Sequence, residues 1–161
     1  LLMRAVMCLG ILALGCASAR APEPASLPKM ALTRSDGRAE SLAGALGGSL
    51  AVIDLWATWC TACEQERPKL ERLQAAYGSQ GVRVIGLNVG ESPGVVSAYL
   101  SANRVSYPVY LDPDFRLADA LGEKRLPAIL VVDPSGRIVH RSPRLDPETL
   151  STIKARLSSN P

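Results

Sequence analysis

Cys60 and Cys63 stand three residues apart in Trp59-Cys60-Thr61-Ala62-Cys63, a spacing that brings two sulfurs within bonding reach when both fall in the first turn of a helix. The run before them, Leu50 to Thr58, is apolar apart from one charge, Asp54, and reads as a strand. The run after them, Glu64 to Leu73, reads as a helix. The leading cysteine is expected at the exposed helix end, where unpaired N–H groups and the positive pole of the dipole favour a thiolate. That is the chemistry of a nucleophilic dithiol. A zinc site needs about four ligands, and this pair supplies two. The single histidine, His140, is far away in the sequence, and Glu64 stands where covalent haem attachment would need a histidine. A purely structural disulfide would close a very short loop, worth about 2 kcal/mol against nearly 5 for a loop of about 100 residues.

Two carboxylates could serve that pair. Asp54 sits in the middle of an apolar strand, where a charge costs several kcal/mol unless it is paired or protonated. Burial there should raise its pKa, so that it could take a proton from Cys63 and return it. The plainer reading has it facing a wet cavity and doing little. Glu66 lies about one helical turn beyond Cys63, so the two can share a face. On charge pattern alone it is equally an ordinary solvated helix residue. Trp59 is expected to shield the sulfurs, Trp56 to belong to the core, and His140 to lie on the surface of a hairpin.

The chain of 161 residues allows one domain of ordinary size, and 47% apolar with 20% charged residues describes a globular protein. The net charge of +3 comes without a basic run or interleaved aromatics, which gives nucleic-acid binding no support. Residues 1–19 have the layout of an export signal: Met3-Arg4, the apolar run Ala5 to Gly15, then small residues. Two processing readings stay open. Ala17-Ser18-Ala19 suits cleavage before Arg20, whereas Ala13-Leu14-Gly15-Cys16 resembles a lipoprotein box that would lipidate Cys16. Both place the domain outside the cytoplasm, where disulfides persist. Residues 20–28, with three prolines, read as a linker and 29–161 as the folded domain.

Within that domain, Ser35-Asp36-Gly37 marks a hairpin turn, and Ser41 to Leu46 a helical turn stopped by Gly47-Gly48. Strands are expected over Val82–Val89, Tyr107–Leu111, Ala128–Val132 and Arg137–His140. Helices are expected over Glu64–Tyr77, kinked at Pro68, over Val95–Leu100, from Asp112-Pro113-Asp114 to Leu121, and from Pro147 with Asp146 as its cap. Strands alternating with helices, then a terminal hairpin and helix, give a mixed sheet covered on both faces.

Several pieces together resemble the thioredoxin superfamily, and within it the exported TlpA/ResA-type thiol–disulfide oxidoreductases of cytochrome c maturation. They are Trp56 to Cys63 with Glu66 and Pro68, Asn88-Val89-Gly90-Glu91-Ser92, Tyr107 to Asp112, and Leu126-Pro127-Ala128. The resemblance implies an α/β, thioredoxin-like three-layer fold: a central mixed sheet with helices on both faces and an N-terminal β-hairpin. It implies that Cys60 attacks a substrate disulfide and Cys63 resolves the mixed disulfide, with Asp54 and Glu66 assisting. Trp59, Leu126 and a cis Pro127 would form the substrate-facing surface. It implies no cofactor and no metal. The partners it implies are disulfide-containing proteins, apocytochrome c among them, and a membrane electron donor. An oxidase or isomerase, a peroxiredoxin-like peroxidase and a non-enzymatic metal chaperone remain as rivals. Two departures stand out: Thr61-Ala62 replaces the usual proline between the cysteines, and Gly86 falls where thioredoxins carry a lysine near the buried aspartate.

Overall fold

The computed structural model describes residues 26–159. The expected export signal, with Cys16, and most of the expected linker lie outside the described residues. The linker's end is docked: Ser26 bridges Arg137, and the Leu27 amide donates to the Gly136 carbonyl at 2.9 Å.

The expected hairpin forms from β1 (Ala31–Arg34) and β2 (Ala39–Ser41) around Gly37, and Ser41 caps the short helix α1 (Leu42–Leu46). β3 (Leu50–Trp56) is buried along its whole length, as a strand covered on both faces must be. It leads into α2 (Thr61–Tyr77), which runs unbroken through Pro68 and then passes by a 3-10 turn to β4 (Val82–Val89). α3 (Pro93–Ala102) extends beyond the expected span because Pro93 occupies its first turn, where a missing N–H costs nothing. β5 (Val109–Asp112), α4 (Arg116–Leu121), β6 (Ala128–Val132), β7 (Ile138–Ser142) and α5 (Pro147–Ser158) complete the order.

The seven strands form one sheet in the order β2-β1-β5-β4-β3-β6-β7. β3, β4 and β5 are parallel, whereas β6 runs antiparallel to β3 and β7 to β6. The pleat divides β3 between two cores. Ala51, Ile53 and Leu55 face α1 and α4, and Leu50 and Val52 face α2 and α5. Asp54 falls on the second face, between Val52 and Trp56. The expected three layers are therefore present, and the C-terminal ends of three parallel strands meet the first turn of α2.

His140 departs from expectation. It is half-buried, with Nε2 3.1 Å from the Thr149 hydroxyl, tying β7 to α5. α4 also starts later than expected. The Asp112 carboxylate accepts the Leu117 and Ala118 amides from the end of β5, which leaves Pro113 to Phe115 as the loop between.

Candidate active site

β3 ends at Trp56, and Ala57-Thr58-Trp59 turns the chain so that Cys60 becomes the N-cap of α2. The Cys63 amide donates to Cys60 Sγ at 3.2 Å, and the two cysteines are joined as a disulfide with Cα atoms 5.3 Å apart. Cys60 is only 5% exposed and Cys63 4%, so the expectation of an exposed leading cysteine does not hold for this bonded pair. Both sulfurs belong to an apolar cluster with Trp56, Val96, Val109 and Leu111, against which Leu126 packs. Trp59, expected to shield the sulfurs, stands 70% exposed next to Cys60. The Leu126–Pro127 bond is cis, immediately before β6 and next to the same cluster.

The turn ahead of Cys60 is clamped from another strand. Glu91, after β4, accepts the Thr58 amide at 2.7 Å, the Thr58 hydroxyl at 2.5 Å and the Asn88 side-chain amide at 2.7 Å. Burial would raise the Glu91 pKa, but these bonds outweigh it and hold the carboxylate below its usual range. Gly90 beside it has φ of +75°, a backbone conformation that favours glycine, and the Phe115 ring lies over it.

Behind the sulfurs a cleft is lined by Asp54, Trp56, Cys63, Arg67, Tyr99 and Tyr107. Asp54 is 3% exposed and its Oδ1 has no hydrogen-bond partner. Burial pushes its carboxyl up to about 7; the Glu66 charge adds to the rise and the Arg67 guanidinium opposes it. Opposite Asp54 on β4 stands Gly86, as the sequence pattern suggested. A Cβ at Gly86 would come within 3.1 Å of Trp56 Nε1 and 3.4 Å of the Tyr107 ring, so the position is packed by aromatics.

Glu66 is neither a solvated helix residue nor part of the active-site surface: it is buried. Oε2 accepts the Leu145 amide at 2.8 Å, and Oε1 accepts Lys69 Nζ at 2.7 Å. It joins α2 to the loop before α5. Trp56 is core as expected, yet it also walls the cleft, with its ring centroid 5.4 Å from that of Tyr99. The sequence reading missed Arg67, Tyr99 and the Thr58–Glu91 clamp. Arg67 stands in the sequence among Glu64, Glu66, Lys69 and Glu71, so no local signal sets it apart. Among the described residues, no three His, Cys, Asp or Glu side chains converge as a metal site needs.

Comparison with known proteins agrees with this geometry. The thiol-disulfide oxidoreductase ResA of Bacillus subtilis is 32% identical over 117 residues, covering 73% of this chain and 65% of that protein. ResA of Halalkalibacterium halodurans is 32% identical over 94 residues, covering 58% and 53%. The chain thus spans about half to two thirds of the length of these relatives. Among solved structures, the thioredoxin domain of a thiol-disulfide oxidoreductase from Bacteroides vulgatus superimposes with a TM-score of 0.72 at 20% identity, over 86% of this chain and 99% of that one. StoA from Bacillus subtilis gives 0.67 at 21% identity, over 81% and 99%. These likenesses show a thioredoxin-like fold. The AhpC/TSA family profile matches residues 25–141, most of the chain's length, and the chain belongs to that family.

Proposed function

We propose that this chain is an exported thiol–disulfide oxidoreductase that reduces disulfides in partner proteins. The observation that carries the proposal is the Cys60–Cys63 bond at the N-terminus of α2, with an unpartnered carboxylate, Asp54, lining the cleft behind Cys63. In the reduced pair, the Cys60 thiolate attacks one sulfur of a substrate disulfide. That S–S bond breaks, a mixed disulfide forms, and the displaced sulfur leaves as a thiolate that takes a proton from solvent. Cys63 passes its proton to ionised Asp54 and attacks Cys60 Sγ. The mixed bond breaks, the second substrate sulfur takes up a proton, and the Cys60–Cys63 bond is restored. The substrate has gained two electrons, which a dithiol donor at the membrane must return to the protein.

Trp59, exposed beside Cys60, and Leu126 with Pro127 form the surface that receives the substrate segment. Glu66 holds the base of α2 and raises the proton affinity of Asp54. The leader-like residues 1–19, with or without lipidation of Cys16, support an extracytoplasmic location. With the resemblance to ResA they favour an apocytochrome c cysteine pair as substrate. Replacing Cys60 with Ser should abolish insulin disulfide reduction with dithiothreitol as electron source, and full activity in that variant would overturn the proposal. Peroxide consumption at background level would set aside the peroxidase reading.

A further inference from the structure

Asp54 lies on β3 with no cation directly opposite it on either neighbouring strand, where Gly86 of β4 and Ile129 of β6 flank it. The groups that face it across the cleft come from elsewhere. α2 contributes Cys63, Glu64 and Arg67, α3 contributes Tyr99, and the segment before β5 contributes Tyr107, while Glu66 of α2 acts on Asp54 through its charge from outside the cleft lining. Arg67 is the only cation in this set. It closes no ion pair with Asp54, because its guanidinium is held away from the carboxylate. Nη2 donates to the Tyr99 hydroxyl, Nη1 donates to Asn103 Oδ1 at 3.5 Å, and the guanidinium carbon lies 5.1 Å from the Tyr99 ring centroid. The Tyr99 hydroxyl in turn donates to Glu64 at 3.4 Å, and its ring leans on Trp56. An arginine fixed by its own partners exerts a steady field on Asp54 without neutralising it by contact.

We infer that Arg67 is the counter-cation of Asp54, a positioning residue at the cleft that keeps this carboxylate able to ionise and so to exchange a proton with Cys63. Consecutive residues of α2 therefore act on one carboxylate in opposite senses: Glu66 favours its protonated form and Arg67 its ionised form. The balance between them sets the pH range in which the second half of the exchange runs. The inference rests on the proton-transfer reading of Asp54 for its consequence, but the charge coupling can be measured without it.

The test is a carboxyl-carbon NMR titration of Asp54 in the disulfide-bonded protein, where neither cysteine titrates and the readout belongs to the carboxylate alone. Arg67→Met should move the Asp54 midpoint up by about one pH unit, the lower end of the effect of a neighbouring opposite charge. Arg67→Lys, which keeps the charge, should return the midpoint most of the way. An unmoved midpoint in Arg67→Met, or a lysine variant that behaves like the methionine one, would overturn the inference. The pH profile of mixed-disulfide resolution is then compared in the same variants and in Asp54→Asn. If Asp54→Asn leaves that profile unchanged while Arg67→Met still moves the NMR midpoint, the acid–base role of Asp54 fails and the coupling stands.

Discussion

Asp54 and Asp112 are both buried aspartates of the parallel part of the sheet, one within β3 and one at the end of β5. Asp112 accepts the amides of Leu117 and Ala118 and fastens α4 to the sheet. Asp54 has one oxygen with no partner at all and opens onto a cleft behind the disulfide. A buried carboxylate whose lone pairs are filled by backbone donors serves as a fastening. One left short of donors keeps its proton to near neutrality and is free to hand it on. The same residue type, in the same sheet, is structural in one place and poised for chemistry in the other.

Three replacements would break or sharpen that contrast. The largest expected effect belongs to Asp54→Asn. With a folded pKa of about 7 against about 4 in the unfolded chain, ionisation disfavours the folded state progressively as pH rises through that window. The stability of the variant minus that of the parent should therefore grow by about 4 kcal/mol between pH 4 and pH 8, at about 1.4 kcal/mol per pKa unit. Urea denaturation at both pH values measures it, and a constant difference would mean that burial does not hold the proton on Asp54. Asp112→Ala should cost about 3 kcal/mol at neutral pH, because two buried amides lose their acceptor. That loss should leave the pH dependence of turnover in place. The smallest effect is expected of Glu66→Gln: a loss of about 1 kcal/mol, as a charged acceptor of the Leu145 amide becomes a neutral one. It should be accompanied by a fall in the Asp54 midpoint, since a neighbouring negative charge has gone. A midpoint that stays put in this variant would mean that the two carboxylates do not sense one another.

The parts of this arrangement that were legible in the sequence are those written in local pattern. β6 falls on the expected residues because it is an uninterrupted apolar run, and β4 because its run is mostly apolar, broken only at Arg83, Gly86 and Asn88. The junction of β3 with α2 was equally plain, as was the high proton affinity of a carboxylate stranded in such a run. What escaped depends on contacts across long stretches of chain. Glu66 reads as solvated until the loop before α5 brings Leu145 to it, 79 residues later. Arg67 owes its position to Tyr99 and Asn103 on and just after α3, and His140 owes its burial to Thr149 on α5. Glu91 looks like a loop residue beside a glycine until β4 lies next to β3 and puts Thr58 within its reach. None of these partners carries a periodic signal, so only the assembled sheet reveals them.

The attachment of Ser26 and Leu27 to the turn between β6 and β7 fixes where the upstream polypeptide leaves the domain. β6 begins opposite Leu55, near the sulfurs, and ends opposite Ala51, so that turn lies at the far pole of the molecule. A leash joined ahead of Ser26 would grip the protein from behind and leave the reactive pole pointing outward, towards whatever drifts past.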